Sequence, residues 1–112
     1  MNKEKNLIIL PYSEGFKILT RENIIRIEAK RAYSLLKLDN GEQILASKSL
    51  KEMEEMVNNG SFFRSHQSHL VNGYHIRSYC KKDGGHLSLS NGDEIPLANG
   101  KKETLIQFLT QL

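Results

Sequence analysis

Phe62-Phe63-Arg64-Ser65-His66-Gln67-Ser68-His69-Leu70-Val71-Asn72 is the stretch that decides the reading of this chain. Two aromatic residues anchor its entry, a polar cluster follows, and Leu70-Val71 re-enters the core before Asn72-Gly73 turns into a strand. A segment fastened at both ends in this way is expected to be a pinned loop that presents Arg64, His66, Gln67, Ser68 and His69 rigidly. The donors and acceptors of those side chains suit phosphate oxygens and base edges.

Upstream of this stretch the pattern is strand and turn. Leu7 to Leu10 is an apolar run ended by Pro11, which cannot donate a ladder hydrogen bond. Phe16 to Leu19 is a second run, and Thr20-Arg21-Glu22-Asn23 reads as one helical turn with Thr20 as its cap. Ile25, Ile27 and Ala29 alternate with Arg26, Glu28 and Lys30, the period of a half-buried strand. Tyr33 to Leu38 and Gln43 to Ala46 flank Asp39-Asn40-Gly41-Glu42, where Asn-Gly supplies the positive φ angles of a hairpin. Ser49 and Glu52 have capping-box spacing, and Leu50, Met53 and Val57 form the apolar face of a helix stopped by Asn58-Asn59-Gly60.

Downstream, Tyr74 to Cys80 reads as a strand, Gly84-Gly85 and Asn91-Gly92 as turns, and His86 to Leu89 and Glu94 to Leu97 as further strands. Leu105, Phe108, Leu109 and Leu112 recur at helical spacing, with Asn99 as the expected cap. Lys101 and Lys102 at the start of that helix sit beside its positive dipole end, where they help only if an anion visits. The expected fold is mainly β with short helices, an antiparallel β-sheet fold with one helix after the first hairpins and one at the C-terminus.

The 112 residues, 38% hydrophobic and 26% charged, suit one ordinary globular domain over residues 1–112. No run approaches the roughly twenty apolar residues of a membrane span. Residues 1–5 lead into the first strand without the apolar core of a signal peptide. One cysteine, Cys80, rules out an internal disulfide and, without an export signal, points to a reducing, cytoplasmic location. The net charge of +3 fits an anionic partner, and Lys30-Arg31, Lys48, Arg64, Lys81-Lys82 and Lys101-Lys102 all sit near expected turns or element ends.

His66 and His69 are separated by two residues, but no cysteine pair or carboxylate-histidine motif completes a four-ligand metal set. Cys80 has no base and orienter in the pattern, and there is no phosphate-cradling Gly-rich loop or nucleophile elbow. No enzyme activity, metal or cofactor is expected.

Phe62-Phe63-Arg64-x-His66-x-Ser68-x-Leu70-Val71-Asn72, the Ser49-Leu50-Lys51-Glu52-Met53-Glu54-Glu55-Met56 helix, Ile95-Pro96-Leu97 and Ile24-Ile25-Arg26-Ile27-Glu28-Ala29 together resemble the LytTR-type DNA-binding domains of bacterial response regulators. The resemblance covers nearly the whole chain. It implies a mostly antiparallel β fold that presents loops, not a recognition helix, to neighbouring major grooves of double-stranded promoter DNA. Three places would face the DNA: the loop around Lys30 to Tyr33, the cluster around Arg64 to Ser68, and the turn from Ala98 to Lys102.

The chain departs from that family at each place. Ala32 stands where an amide or histidine often precedes the aromatic, Gln67 where a basic residue or Asn is common, and Ala98-Asn99-Gly100 where an arginine often follows the Ile-Pro run. Arginine on guanine is the commonest direct base contact, worth about 1–3 kcal/mol of discrimination, whereas Gln67 and Asn99 have the bidentate chemistry for adenine. The expected DNA-binding set is Lys30, Arg31, Tyr33, Lys48, Arg64, His66, Gln67, Ser68, Asn99, Lys101 and Lys102. The expected function is sequence-specific DNA binding in transcription regulation within a two-component system. The alternative is a protein-interaction module of the same fold with degenerate base readout. A homodimer on DNA and a receiver domain or sensor kinase are the further expected partners, whether the chain stands alone or is part of a longer regulator.

Overall fold

The computed structural model describes residues 6–112; residues 1–5, read above as a lead-in, lie outside the described residues. β1 (Leu7–Tyr12) and β2 (Gly15–Thr20) form a hairpin, and β3 (Ile24–Lys30), β4 (Tyr33–Leu38) and β5 (Gln43–Ala46) form a meander. α1 (Leu50–Val57) leads into β6 (Phe62–His66) and β7 (His69–Asn72); β8 (Ile76–Cys80), β9 (His86–Leu89) and β10 (Glu94–Pro96) follow, and then α2 (Lys102–Thr110). A five-stranded sheet of order β5-β4-β3-β7-β6 lies in the middle, with β1-β2 and β10-β9-β8 as separate sheets, and the pairings are antiparallel. The mainly β, antiparallel fold expected from the sequence is the one that forms.

The middle sheet has a core on each face. On one, Ile8, Leu10 and Leu19 of the hairpin and Leu50, Met53 and Val57 of α1 pack with Ile27, Leu36, Ile44 and Leu70. On the other, Ile25, Phe63 and Val71 pack with Leu87, Leu89, Ile95, Leu97 and Leu105. Burial on both faces explains why Ile24-Ile25-Arg26-Ile27 does not alternate, since all four residues are buried. The register against β4 shifts between Ile24 and Arg26, and such a bulge re-aims side chains. The half-buried reading of this strand is therefore corrected: Ile25 enters the second core and Ile27, with Ala29, the first.

The pinned loop is corrected in the same way. Phe62 to Asn72 forms two paired strands, with Gln67 and Ser68 at the turn and Ser65 skipped where the register shifts between Arg64 and His66. The apolar residues at its ends explain this, because Phe62 and Leu70 fill the first core while Phe63 and Val71 fill the second.

Local signals were mostly sound. Ser49 Oγ accepts from Glu52 N (3.1 Å) and Glu52 Oε1 accepts from Ser49 N (2.8 Å), closing the capping box. Arg21 Nε donates to the Val57 carbonyl (2.8 Å), meeting the negative end of α1 with a cation. Two expected caps are absent: Thr20 makes no side-chain cap bond to the 3-10 turn after it, and α2 is preceded by Lys101, not Asn99, with no side-chain cap. Gly100, at φ +80, explains the second case, because its turn places Asn99 too early in the chain. In the hairpin at Asn40-Gly41, only Gly41 takes a positive φ. Gly41 N donates to the Leu38 carbonyl and Leu38 N to the Glu42 carbonyl, and Gly92, Leu89 and Asp93 repeat the same arrangement. Before β8, Gly73 to His75 forms a 3-10 turn, so that strand starts at Ile76 instead of Tyr74.

Gly73 is needed for lack of volume. A Cβ there would stand 2.6 Å from Phe108 and 2.7 Å from Leu112. Gly73→Ala is expected to push α2 outward and cost about 1–3 kcal/mol, measurable as a fall in urea midpoint at unchanged slope.

Candidate nucleic-acid interface

The ladder brings three turns to one end of the middle sheet. Lys30 pairs with Tyr33 across the β3–β4 turn, and Glu28 pairs with His69, which sets the β6–β7 turn beside it. Ala29 N then donates to the Ser68 carbonyl at 2.9 Å. The β10–α2 turn is bound to the same end, because Ala98 N donates to the Ser65 carbonyl at 2.7 Å. Lys48 joins them through its carbonyl, which accepts from Ser34 Oγ at 2.8 Å. All the residues expected from the sequence to meet DNA are therefore gathered at one edge.

Their freedom differs. Lys30, Arg31, Tyr33, Gln67, Asn99 and Lys102 are exposed, whereas Lys48, Arg64, His66, Ser68 and Lys101 are half-buried. Arg31 holds φ 60, a left-handed conformation costly for a residue with a Cβ, at the tip of its turn. Arg64 is committed inward: Nε donates to the His66 carbonyl (3.2 Å), one terminal nitrogen to the Gln67 carbonyl (2.8 Å), and the other to Glu54 Oε1 (2.6 Å). Its side chain braces the turn that carries Gln67. His66 Nδ1 accepts from Ser68 N (3.1 Å) and adds a second brace. Lys101 Nζ donates to the Arg64 carbonyl (2.7 Å) and lies 5.8 Å from the Phe63 ring centroid, so it ties two of the turns together.

Two lysines left out of the expected set stand close to these turns. Leu97 N donates to the Gly85 carbonyl (3.1 Å), and Lys102 Nζ lies 6.0 Å from the Tyr79 ring, which sets the exposed Lys81 and Lys82 beside the β10–α2 turn. Their signal in the sequence was a basic pair just before Gly84-Gly85.

Behind this edge lies a buried charge. Arg26, 7% exposed, donates to Asp93 Oδ2 (2.9 Å) and to Glu28 Oε1 (3.1 Å), joining the β9–β10 turn to the middle sheet. Burial pushes both carboxyls up, but the hydrogen bonds from Arg26, with its charge and that of Lys30 on Glu28 or Lys37 on Asp93, hold both below the usual carboxylate range. Burial pushes His69 down, and the neighbouring Glu28 only partly opposes this. Nδ1 of His69 is buried without a hydrogen-bond partner among the described residues.

All three groups bind protons less readily folded than unfolded, so acid destabilises the fold in two stages. The stability linked to neutral His69 is full above its usual value of 6.5 and falls as pH drops below it. That of Glu28 and Asp93 is full above 4.5 and 3.8, respectively, and falls below them. Urea midpoints from pH 8 to pH 3 are expected to show both stages, and His69→Gln to remove the first.

Among the described residues no group of three or more His, Cys, Asp or Glu is placed to hold a metal ion, and no helix is long and apolar enough to cross a membrane. A polar cleft of about 420 Å³ between Arg21, Asn59, Asn72, Tyr74 and Gln111 contains none of the expected site residues.

The sequence profile of the LytTr DNA-binding domain matches residues 14–110. No curated protein matches the chain. A solved structure of a LytTr DNA-binding domain from Bacillus cereus is similar in fold, with a TM-score of 0.77 at 23% identity over 94% of this chain and 97% of that one. With the profile spanning most of the sequence and the layered antiparallel fold in agreement, the chain belongs to the LytTr DNA-binding domain family.

Proposed function

We propose that this DNA-binding domain recognises a specific duplex sequence in transcription regulation, with its three turns entering the major groove. The observation that carries the reading is the gathering of those turns, each with exposed basic or amide side chains, at one end of the sheet. Gln67 and Asn99 read base edges, since each exposed amide can donate to and accept from one adenine. Lys30, Arg31, Lys48 and Lys102 contact phosphates, and Tyr33 packs against the backbone. Arg64, His66 and Lys101 act by holding the turns in place, and Ser68 offers its hydroxyl at the groove. The signal that governs binding comes from a receiver domain or sensor kinase of a two-component system.

Selection of bound duplexes from a random pool tests this. A selected duplex is expected to bind at least about 10³-fold more tightly than random duplex at physiological salt. Gln67→Ala should relax the preference at one base position, by about 1–3 kcal/mol, and leave the others intact. Affinity that never exceeds the random level would favour the interaction-module reading, which the absence of arginine from Ala98-Asn99-Gly100 and the small Ala32 support.

A further inference from the structure

The β1–β2 hairpin is apolar on both faces. Its inner face, Ile8, Leu10 and Leu19, lies in the first core. The register sets Leu7 opposite Thr20, Ile9 opposite Ile18 and Pro11 opposite Phe16 on the outer face. There, Leu7 is 62% exposed, Ile9 58%, Phe16 60% and Ile18 60%. Strands read as near-continuous apolar runs when both of their faces are covered. Here one cover is missing among the described residues. Singly exposed apolar residues are ordinary, but a contiguous block of four with Pro11 between them marks an interaction surface.

We propose that this outer face is the interface of a homodimer, with the hairpins of two copies packed face to face. Three observations favour a second copy as the occupant. The exposed fractions correspond to about 500 Å² of apolar surface per copy, so two copies bury about 1,000 Å², the lower bound for a specific interface before any rim is counted. The outer face carries no charged side chain, so a two-fold pairing meets no like-charge repulsion, and a partner of complementary charge would find nothing to pair with. The face also lies clear of the basic turns. Lys17, near the turn of the hairpin, pairs with Glu42 at 3.5 Å, and Glu42 sits in the β4–β5 turn, at the opposite end of β4 from Tyr33. The dimer therefore leaves both sets of turns open. Strands of packed sheets lie within about 30° of each other, which allows the two rows to interdigitate.

Sedimentation equilibrium of the full chain without DNA tests the inference over a wide range of protein concentration. The mass is expected to rise from 12.8 kDa to twice that value. Phe16→Glu and Ile18→Glu, both exposed and outside the DNA-facing turns, should each keep the chain monomeric, with the thermal midpoint of the parent measured at concentrations where the parent is also monomeric. In the unsubstituted protein, amide exchange of β1 and β2 should slow as concentration rises, a readout that needs no variant. A chain that stays monomeric throughout, or a dimer that survives both glutamates, would overturn the proposal. So would a monomer that instead cosediments with phosphatidylcholine vesicles, which would assign the face to a lipid surface.

Discussion

Asn72→Asp is expected to cost about 3–5 kcal/mol of folding stability at neutral pH, although it exchanges only an amide for a carboxylate of the same shape. Asn72 is 2% exposed. Its Nδ2 donates to the carbonyls of Ile24 (3.0 Å) and Arg21 (3.4 Å), while Oδ1 accepts from Tyr74 N (3.1 Å). One side chain thus joins the end of β7 to the start of β3 and to the 3-10 turn before β8. Aspartate keeps the acceptor, but it sets a buried negative charge against two carbonyl oxygens. Asn72→Ala, which removes the donors and adds no charge, should cost less, about 1–3 kcal/mol. The pH dependence separates the two variants. Burial beside carbonyls raises the folded-state pKa of the introduced carboxyl above its usual value near 3.9, so the variant gains stability relative to the parent as pH falls through that raised value. Urea midpoints of parent and variant should converge between pH 7 and pH 5, with no such convergence for Asn72→Ala. A carboxylate tolerated within about 1 kcal/mol at pH 7 would show that water reaches this site.

Asn72 also shows how far the sequence could be read. Alternation, turn residues and the capping box place nearly every element, because those signals are local and each rests on backbone chemistry within a few residues. The sequence places Asn72 at a turn, but its bonds to Ile24 and Arg21 join distant segments and leave no local signal. The same limit holds for two other segments. Alternation alone puts Ile25 and Ile27 on one face of a half-buried strand, and only the second sheet, built from residues far downstream, buries β3 on both faces. The polar cluster inside Phe62 to Asn72 suggests a loop, although Phe63 and Val71 carry the apolar spacing of paired strands. At the interface, residue type alone could not divide the cations. Arg64 and Lys30 look equivalent in the sequence, yet one braces backbone carbonyls while the other, on an exposed residue, pairs only with Glu28 Oε2 at 3.4 Å.

That division sets the second large effect, on DNA. Combining Lys30→Ala, Arg31→Gly and Lys102→Ala is expected to weaken binding to any duplex by on the order of 100-fold at physiological salt, with the fold unchanged. The three positions are exposed and come from two of the turns, and glycine accepts the positive φ that Arg31 holds. Each lost phosphate contact removes close to one released counterion, so the slope of log affinity against log salt should fall by nearly three, and affinity at about 0.15 M salt by roughly fivefold per contact. Lys101 is left intact because its Nζ holds the Arg64 carbonyl, and its loss would loosen a turn as well as remove a charge. Phosphates carry no sequence information, so the preference between selected and random duplex should survive the triple change. Anisotropy titrations on both duplexes over a range of salt separate the outcomes. A fall in slope with selectivity kept places these three cations on phosphates and leaves base reading to the amides of Gln67 and Asn99, whereas an unchanged slope removes them from the footprint.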